Sequence, residues 1–343
     1  MTAITPHDDS HAPLLSICIP TYNRAGELGN LLTSIAAQTH PLSIEVRVRD
    51  NASQDGTREV FERFAAGRAN WHYERNERNL GGRANIGLCA ENATGRFIHI
   101  VGDDDHFAPD GFVLLDRLLA AARDAGAAAI FGCARLGPEM SGVVLEGGFE
   151  WLRYVSINTP AFISSVIWSP EYWRGYGYFD YPPEMSLPQL DCFVSACMTR
   201  KVVVSNRDLV VRGDCEPTDK KTFWFYARNP LLDAFEYPTL YKKVLASNRI
   251  ASRMRIWIEA RRFWLLQRTI KQTLFIHHNR HYYHPTMEQF RRAHGGTYYW
   301  PFLRVVFATI LGTRFGSWVA AWYCTRIARV EDLPPQAARP QDF

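Results

Sequence analysis

One short stretch constrains this chain more than any other: Phe97-Ile98-His99-Ile100-Val101-Gly102-Asp103-Asp104-Asp105, an apolar run ending in three consecutive carboxylates. Ile, Val and Phe suit a pleated surface covered on both faces, so the run reads as a buried strand. The acids then sit at its carboxyl end, where open α/β sheets place their ligands. Three adjacent carboxylates repel one another and lose hydration when buried, so they call for a counter-charge, and a divalent cation bridging phosphate oxygens is a natural one. A lone Asp-Asp-Asp is as easily a solvated turn, and the sequence before it decides between the two. His99, inside the apolar run, is expected to be a hydrogen-bonded core residue rather than a ligand.

Upstream, strands alternate with helices. Leu14 to Ile19 reads as a strand ended by Pro20, and Leu28, Leu31, Leu32 and Ile35 mark one face of a helix. Ile44 to Arg49 alternates as a second strand, and a helix with Val60, Phe61 and Phe64 follows its polar loop. Trp71-His72-Tyr73 is a third strand, Gly81-Gly82 opens another helix, Pro109 starts the next, and Ala128 to Phe131 closes the series. This order predicts an α/β fold with a mostly parallel sheet flanked by helices. Beyond Gly132 the pattern loosens. Phe162–Trp168 is expected as a strand, 172–188 as a long irregular loop, 189–199 as a helix, and 202–204 and 209–211 as strands. The predicted organisation is a polar leader (1–13), a catalytic domain (14–228, with halves 14–120 and 121–228), a basic helical region (229–330) and a tail (331–343).

Charge is uneven. The net charge is +4, yet Tyr241 to Val330 holds sixteen Lys and Arg against two acids. Such a basic end suits an anionic surface. Seven cysteines with no CxxC pair fit neither a disulfide framework nor a zinc site and point to a reducing cytosol. No signal-peptide pattern opens the sequence, so a cytoplasmic protein is expected, peripheral on the inner face of the cell membrane if the basic end docks there. Read as one helix, Tyr298 to Thr325 and its continuation would gather Arg304, Arg314, Arg326 and Arg329 on one face, with Trp300, Phe302, Phe307 and Trp318 as membrane-surface anchors. The alternative is a helical bundle packed on the catalytic domain or in a homo-oligomer.

Four loops follow strands and would line one sheet edge: Pro20-Thr21-Tyr22-Asn23-Arg24, Asp50-Asn51-Ala52-Ser53-Gln54-Asp55-Gly56-Thr57, Asn79-Leu80-Gly81-Gly82-Arg83-Ala84-Asn85 and Gly102-Asp103-Asp104-Asp105. Together they resemble the amino-terminal domain of the family 2 glycosyltransferases of GT-A fold over roughly residues 14–120, and the remainder is loosely similar to bacterial O-antigen-type sugar transferases. The resemblance implies a nucleoside-diphosphate-sugar donor and Mn²⁺ or Mg²⁺. It places Pro20, Thr21, Tyr22, Asn23, Arg24, Asp50, Asn51, Ser53, Asp55, Gly82, Arg83, Asn85, Asp103 and Asp104 around the donor, with Asp50 facing the base. Asp105, with Asp103, would ligate the metal. Asn51 departs from the family pattern, where many members carry a second acid. Asp50 and Asp55 could instead simply cap a turn and a helix.

The resemblance also implies inversion at the anomeric carbon, with a carboxylate as base toward a saccharide or polyprenyl-linked acceptor. Glu171, Asp180, Glu184 and Asp191 are the candidates, Asp191 first and Glu184 second. The aromatics from Trp168 to Tyr181 could face a sugar ring or simply pack. A nucleotidyltransferase is the rival enzyme, though Pro20-Thr21-Tyr22-Asn23 is not its Gly-rich loop. A non-enzymatic nucleic-acid binder is the other rival, and no recognisable module supports it.

Overall fold

The computed structural model describes residues 12–134, 136, 138–147, 162–180, 188–213, 237–246, 266, 269–278, 286–296 and 300–328. The expectations for residues 1–11, Tyr181, Glu184, Arg329 and 331–343 lie outside the described residues. Packing divides the chain into two units. The first takes Met1–Val155, Thr159–Asp180 and Ser195–Asp214, the second Ser156–Asn158, Tyr181–Val194 and Cys215–Phe343.

The first unit is built on an eight-stranded sheet. β1 (Leu15–Thr21), β2 (Ile44–Asp50), β3 (Trp71–Arg75) and β4 (Phe97–Ile100) are joined by α1 (Ala25–Ala36), α2 (Thr57–Ala65) and α3 (Gly82–Glu91). β5 (Ala129–Gly132) follows α4 (Gly111–Ala125), and β6 (Val143–Leu145), β7 (Val166–Trp168) and β8 (Val202–Ser205) complete the order β3-β2-β1-β4-β7-β5-β8-β6. β1 to β4 are mutually parallel, as the alternating pattern requires. Leu28, Leu31, Leu32 and Ile35 of α1 pack with Ile17, Ile19, Val46 and Val48 of the strands in one core. Burying each such side chain is worth about 1.5–3 kcal/mol.

Several expectations need correction. β1 does not stop at Pro20 but continues to Thr21, with Pro20 opposite Arg49. β4 pairs with β1 only from Leu15 to Cys18, so at Pro20 the strand has a neighbour on one side, and the missing N–H costs no ladder bond. The sheet is mostly parallel, as expected, with β7 inserted antiparallel between β4 and β5 and β6 antiparallel to β8. Part of the supposed loop after 172 is ordered: Ser169 caps α5 (Pro170–Gly175), with Pro170 at the first helical position, and a 3₁₀ turn spans Tyr178–Asp180. The expected helix at 189–199 is α6 (Pro188–Thr199). Residues 209–211 form no strand, only a bridge from Val211 to His106.

In the second unit, helices cover Tyr237–Leu245, 269–278, Met287–His294, Trp300–Gly312 and Arg314–Trp322. Ile276, Phe290, Ala293, Leu303 and Phe307 form its core, with the Phe290 and Phe307 rings 4.1 Å apart. The segment expected as one basic helix is two, bent by 90° at Thr313, which caps the second by accepting from Gly316 N. Phe307 is therefore a core residue and not a surface anchor. No single helix among the described residues is long and apolar enough to cross a membrane.

Close packing around the central strand gives a test. A Cβ on Gly95 would fall 2.6 Å from both the backbone nitrogen and the hydroxyl of Ser16 in β1. Gly95→Ala is therefore expected to cost about 1–3 kcal/mol, the usual price of overpacking, read from the denaturant midpoint.

Candidate active site

The carboxyl ends of β1, β2 and β4 bring three of the four sequence loops together. Asp103 and Asp105 are buried and Asp104 is half-buried. Thr21, at the end of β1, donates its hydroxyl to Asp103 Oδ2 at 2.7 Å. Arg24 donates Nη1 to Asp103 Oδ1 at 2.9 Å and to Asp104 Oδ2 at 3.2 Å. Asp105 is held from elsewhere: Ser164 donates its hydroxyl to Oδ2 at 2.6 Å, and Gly213 N donates to Oδ1 at 3.2 Å. The Ser164 hydroxyl also accepts from Gly102 N at 2.9 Å. Its carbonyl accepts from His99 Nε2 at 2.8 Å, so one residue ties the strand to its terminal acid. Burial lowers the His99 pKa to about 4, which leaves the ring neutral, a core residue as expected.

The acids are under-compensated. Loss of hydration raises the Asp103 carboxyl from an ordinary 3.8 to about 6, against the opposing pull of Arg24. Burial raises Asp105 likewise to about 6, against the Ser164 hydrogen bond.

The β2 loop is the opposite case. Asp50 accepts from Ser53 N at 2.9 Å and Ser53 Oγ at 2.5 Å on one oxygen and from Tyr73 OH at 2.6 Å on the other, which also forms an ion pair with Arg75 Nε at 3.3 Å. Three hydrogen bonds and one ion pair thus engage both carboxylate oxygens. Burial and the bond to Asp50 raise the Tyr73 pKa, so the phenol stays a donor. Asp55 is a double cap. Its Oδ2 accepts from Ala25 N, the first residue of α1, at 3.0 Å, and its Oδ1 accepts from Thr57 N, the first of α2, at 3.1 Å. Partial burial opposes its ionisation, but these bonds and that from the Thr57 hydroxyl hold its pKa below the ordinary value. Asn23 N donates to Ser53 Oγ, and Asn23 Oδ1 accepts from Gln54 N, both at 2.8 Å. Asn23 and Ala52 have φ of 51° and 68°. For Ala52 that left-handed geometry costs on the order of 1 kcal/mol, held by the surrounding bonds.

Asn51 anchors an amide cluster. It donates to Asn79 Oδ1 at 2.7 Å and accepts from Leu80 N at 2.8 Å and Asn76 Nδ2 at 2.9 Å. Asn76 Nδ2 also donates to Asn85 Oδ1 at 2.9 Å, and Asn85 donates to Arg49 O at 3.0 Å. The cluster fixes the turn in which Gly81 takes φ 83°, a glycine conformation, so that Gly82 and Arg83 open α3. Arg83 is half-buried there, and Tyr22 is exposed at the end of β1.

Of the base candidates, Asp191 is buried in α6, with both oxygens accepting from Lys243 Nζ at 2.8 Å. Glu184 lies outside the described residues, and Glu171 and Asp180 are exposed. Among the aromatics, Trp168, Trp173 and Tyr178 are core and Phe179 is half-exposed. Sequence reasoning missed Ser164, Gly213, Tyr73, Arg75 and Asn76. Tyr73 and Arg75 alternate along β3 and could have been paired with a β2 acid, but nothing local marks Ser164 or Gly213.

The donor set suits a divalent cation of the kind the resemblance implies. A Cβ on Gly102 would lie 2.9 Å from Asp104 Oδ1 and 3.0 Å from Asp105 Oδ2, so any side chain there would crowd both carboxylates. No group of three or more His, Cys, Asp or Glu among the described residues forms a self-sufficient metal cage. Two carboxylates completed by substrate phosphates is the usual magnesium arrangement.

Comparison with known proteins places part of the chain. Residues 16–151 match the model of "Glycosyl transferase family 2". This stretch is a family 2 glycosyltransferase domain. The abequosyltransferase RfbV of Salmonella typhimurium is 29% identical over 265 residues, covering 68% of this chain and 76% of the relative. The putative teichuronic acid biosynthesis glycosyltransferase TuaG of Bacillus subtilis is 29% identical over 98 residues, 29% of this chain and 38% of that protein. Among solved structures, a mannosyltransferase from Pyrobaculum calidifontis, in complex with GDP-Man and Mn²⁺, superposes with a TM-score of 0.53 at 17% identity, over 94% of this chain and 89% of that one. At that identity the likeness shows the fold, GT-A, as expected.

The buried acids predict a pH dependence. Asp103 and Asp105 bind protons more tightly folded than unfolded, so the stability they contribute is greatest below their unfolded values and falls as pH rises from about 4 to about 6. Thermal melts of the metal-free protein across that window should show the decline, and Asp105→Asn should flatten it and raise the midpoint at pH 7.

Proposed function

We propose that this glycosyltransferase is metal-dependent and inverting, and moves a sugar from a nucleoside-diphosphate-sugar to a hydroxyl of a lipid-linked or polysaccharide-precursor acceptor. The observation that carries the reading is the pair of under-compensated carboxylates, Asp103 and Asp105, at the end of β4. The names of the relatives, an abequosyltransferase and a teichuronic acid glycosyltransferase, support the polysaccharide-type acceptor.

The nucleoside would lie against Pro20, Thr21 and the β2 loop. Asp50, which the resemblance sets facing the base, also fixes Ser53 and Tyr73 by hydrogen bonds and Arg75 by an ion pair. Asn51 and Asn85 hold the turn that presents Gly82 and Arg83 toward the diphosphate, and Tyr22 and Asn23 border the same edge. Asp103, steadied by Thr21 and Arg24, would accept from a ribose or sugar hydroxyl. Asp105, with Asp103 and Asp104 beside it, would hold Mn²⁺ or Mg²⁺. The bound cation supplies charge neutralisation for the departing nucleoside diphosphate. The acceptor hydroxyl attacks the anomeric carbon opposite the leaving group and gives its proton to a carboxylate, for which Asp191 is the candidate carried forward.

Thermal-shift binding of UDP, GDP, CDP and dTDP, each with Mn²⁺ or EDTA, tests the donor site. One nucleotide should stabilise the protein only with metal, and Asp105→Ala should abolish that stabilisation. Stabilisation that survives both EDTA and the substitution would overturn the metal-dependent reading. Asp191→Asn should lower turnover about 10²–10⁴-fold, the usual worth of a general base, at unchanged nucleotide affinity. Wild-type turnover in that variant would remove Asp191 from the mechanism.

A further inference from the structure

We propose that the bent helix pair Trp300–Gly312 and Arg314–Trp322 docks the protein on an anionic lipid surface. The inward faces of both helices are already committed. Leu303, Phe307 and Ile310 of the first and Gly316 and Ala320 of the second are buried within the unit. The outward faces should then be largely polar, yet they carry large apolar side chains beside their arginines. Val305 (65% exposed), Phe315 (63%), Trp318 (62%) and Phe302 (58%) are the four most exposed large hydrophobic side chains among the described residues. They flank the bend, two on each arm, and the Phe315 and Trp318 rings stack 6.0 Å apart.

The bend is a built feature. Thr313 caps the second helix, and a Cβ on Gly316 would collide with the Thr309 and Ile310 carbonyl oxygens of the first. Neither arm can span a bilayer: thirteen residues at 1.5 Å each reach about 20 Å against a hydrocarbon core of about 30 Å. Such helices lie in the interface with their apolar side chains among the acyl chains.

Charge selects the occupant. Arg304, Arg314 and Arg326 are exposed among these side chains, and no Asp or Glu occurs from 298 to 330. A second copy joined by a two-fold axis would set this patch against itself, guanidinium facing guanidinium with no acid to separate them. Anionic lipid headgroups supply the missing counter-charge, and exposed aromatic rings with neighbouring arginines suit a membrane–water boundary. The inference is independent of the donor site.

Vesicle co-sedimentation of the full chain tests it. The protein should bind vesicles of phosphatidylglycerol and phosphatidylcholine at least tenfold more tightly than phosphatidylcholine alone, and binding should weaken with salt. The double variant Phe315→Ser/Trp318→Ser should lose at least tenfold in affinity, with an unchanged circular-dichroism melting midpoint because both side chains are exposed. Arg304→Ser/Arg314→Ser should bind more weakly and with less salt dependence. Absence of wild-type binding, or equal binding by both variants, overturns the proposal. So does sedimentation equilibrium showing a self-associated wild type that the aromatic variant disperses, without any lipid binding.

Discussion

Burying carboxylates at the carboxyl end of a central strand is the constraint on which this structure depends. Asp103 and Asp105 leave water together, and the protein returns to them one guanidinium, two hydroxyls and a backbone N–H. These partners are spread along the chain: Thr21 and Arg24 from the end of β1, Ser164 from the turn before β7, and Gly213 from the segment after β8. Bringing them within hydrogen-bond reach requires the whole order of the sheet, including the antiparallel β7 that delivers Ser164 beside β4. The acids are thus positioned more completely than they are neutralised.

The site therefore has two chemically distinct halves. Around Asp50 and Asn51 the side-chain oxygens each accept hydrogen bonds, and the loops are laced to one another with Asn23 and Ala52 at positive φ. That half is pre-organised and electrically quiet, suited to holding the uncharged part of a ligand at little reorganisation cost. Around Asp103 and Asp105 burial outweighs the partners the protein supplies, and both carboxyls are raised to about 6. A nucleoside joined to a metal-chelated diphosphate matches both halves.

Local pattern made much of this legible. The strands leading into the site and the helix of Leu28 to Ile35 announce themselves by periodicity, because each buries one face on its own account. What escaped notice depended on partners far away in sequence. Pro20 reads as a strand terminator, and only the short reach of β4 shows that β1 can carry it at a local edge. Ser164 lies 59 residues from the carboxylate it holds, in a segment that reads as strand from Phe162 but makes a 3₁₀ turn over Ile163–Ser165 before β7 begins. Asp55 offered a choice between pocket residue and helix cap, and it caps two helices whose starts meet only in the folded state. The basic end failed differently. Its arginine arc assumed one straight helix, and the break at Thr313 gives each arm its own buried face, which sends Phe307 inward.

The central claim is that the strand-end carboxylates hold a cation only with the help of the donor's phosphates. Electron paramagnetic resonance of Mn²⁺ tests it most directly, because the free ion's signal counts what remains unbound. Titrating Mn²⁺ into the protein with and without the preferred nucleoside diphosphate should show weak uptake alone and tight uptake in the ternary mixture. That gain should vanish in Asp105→Asn. Equal uptake with and without nucleotide, or an undiminished ternary complex in the variant, would contradict the account.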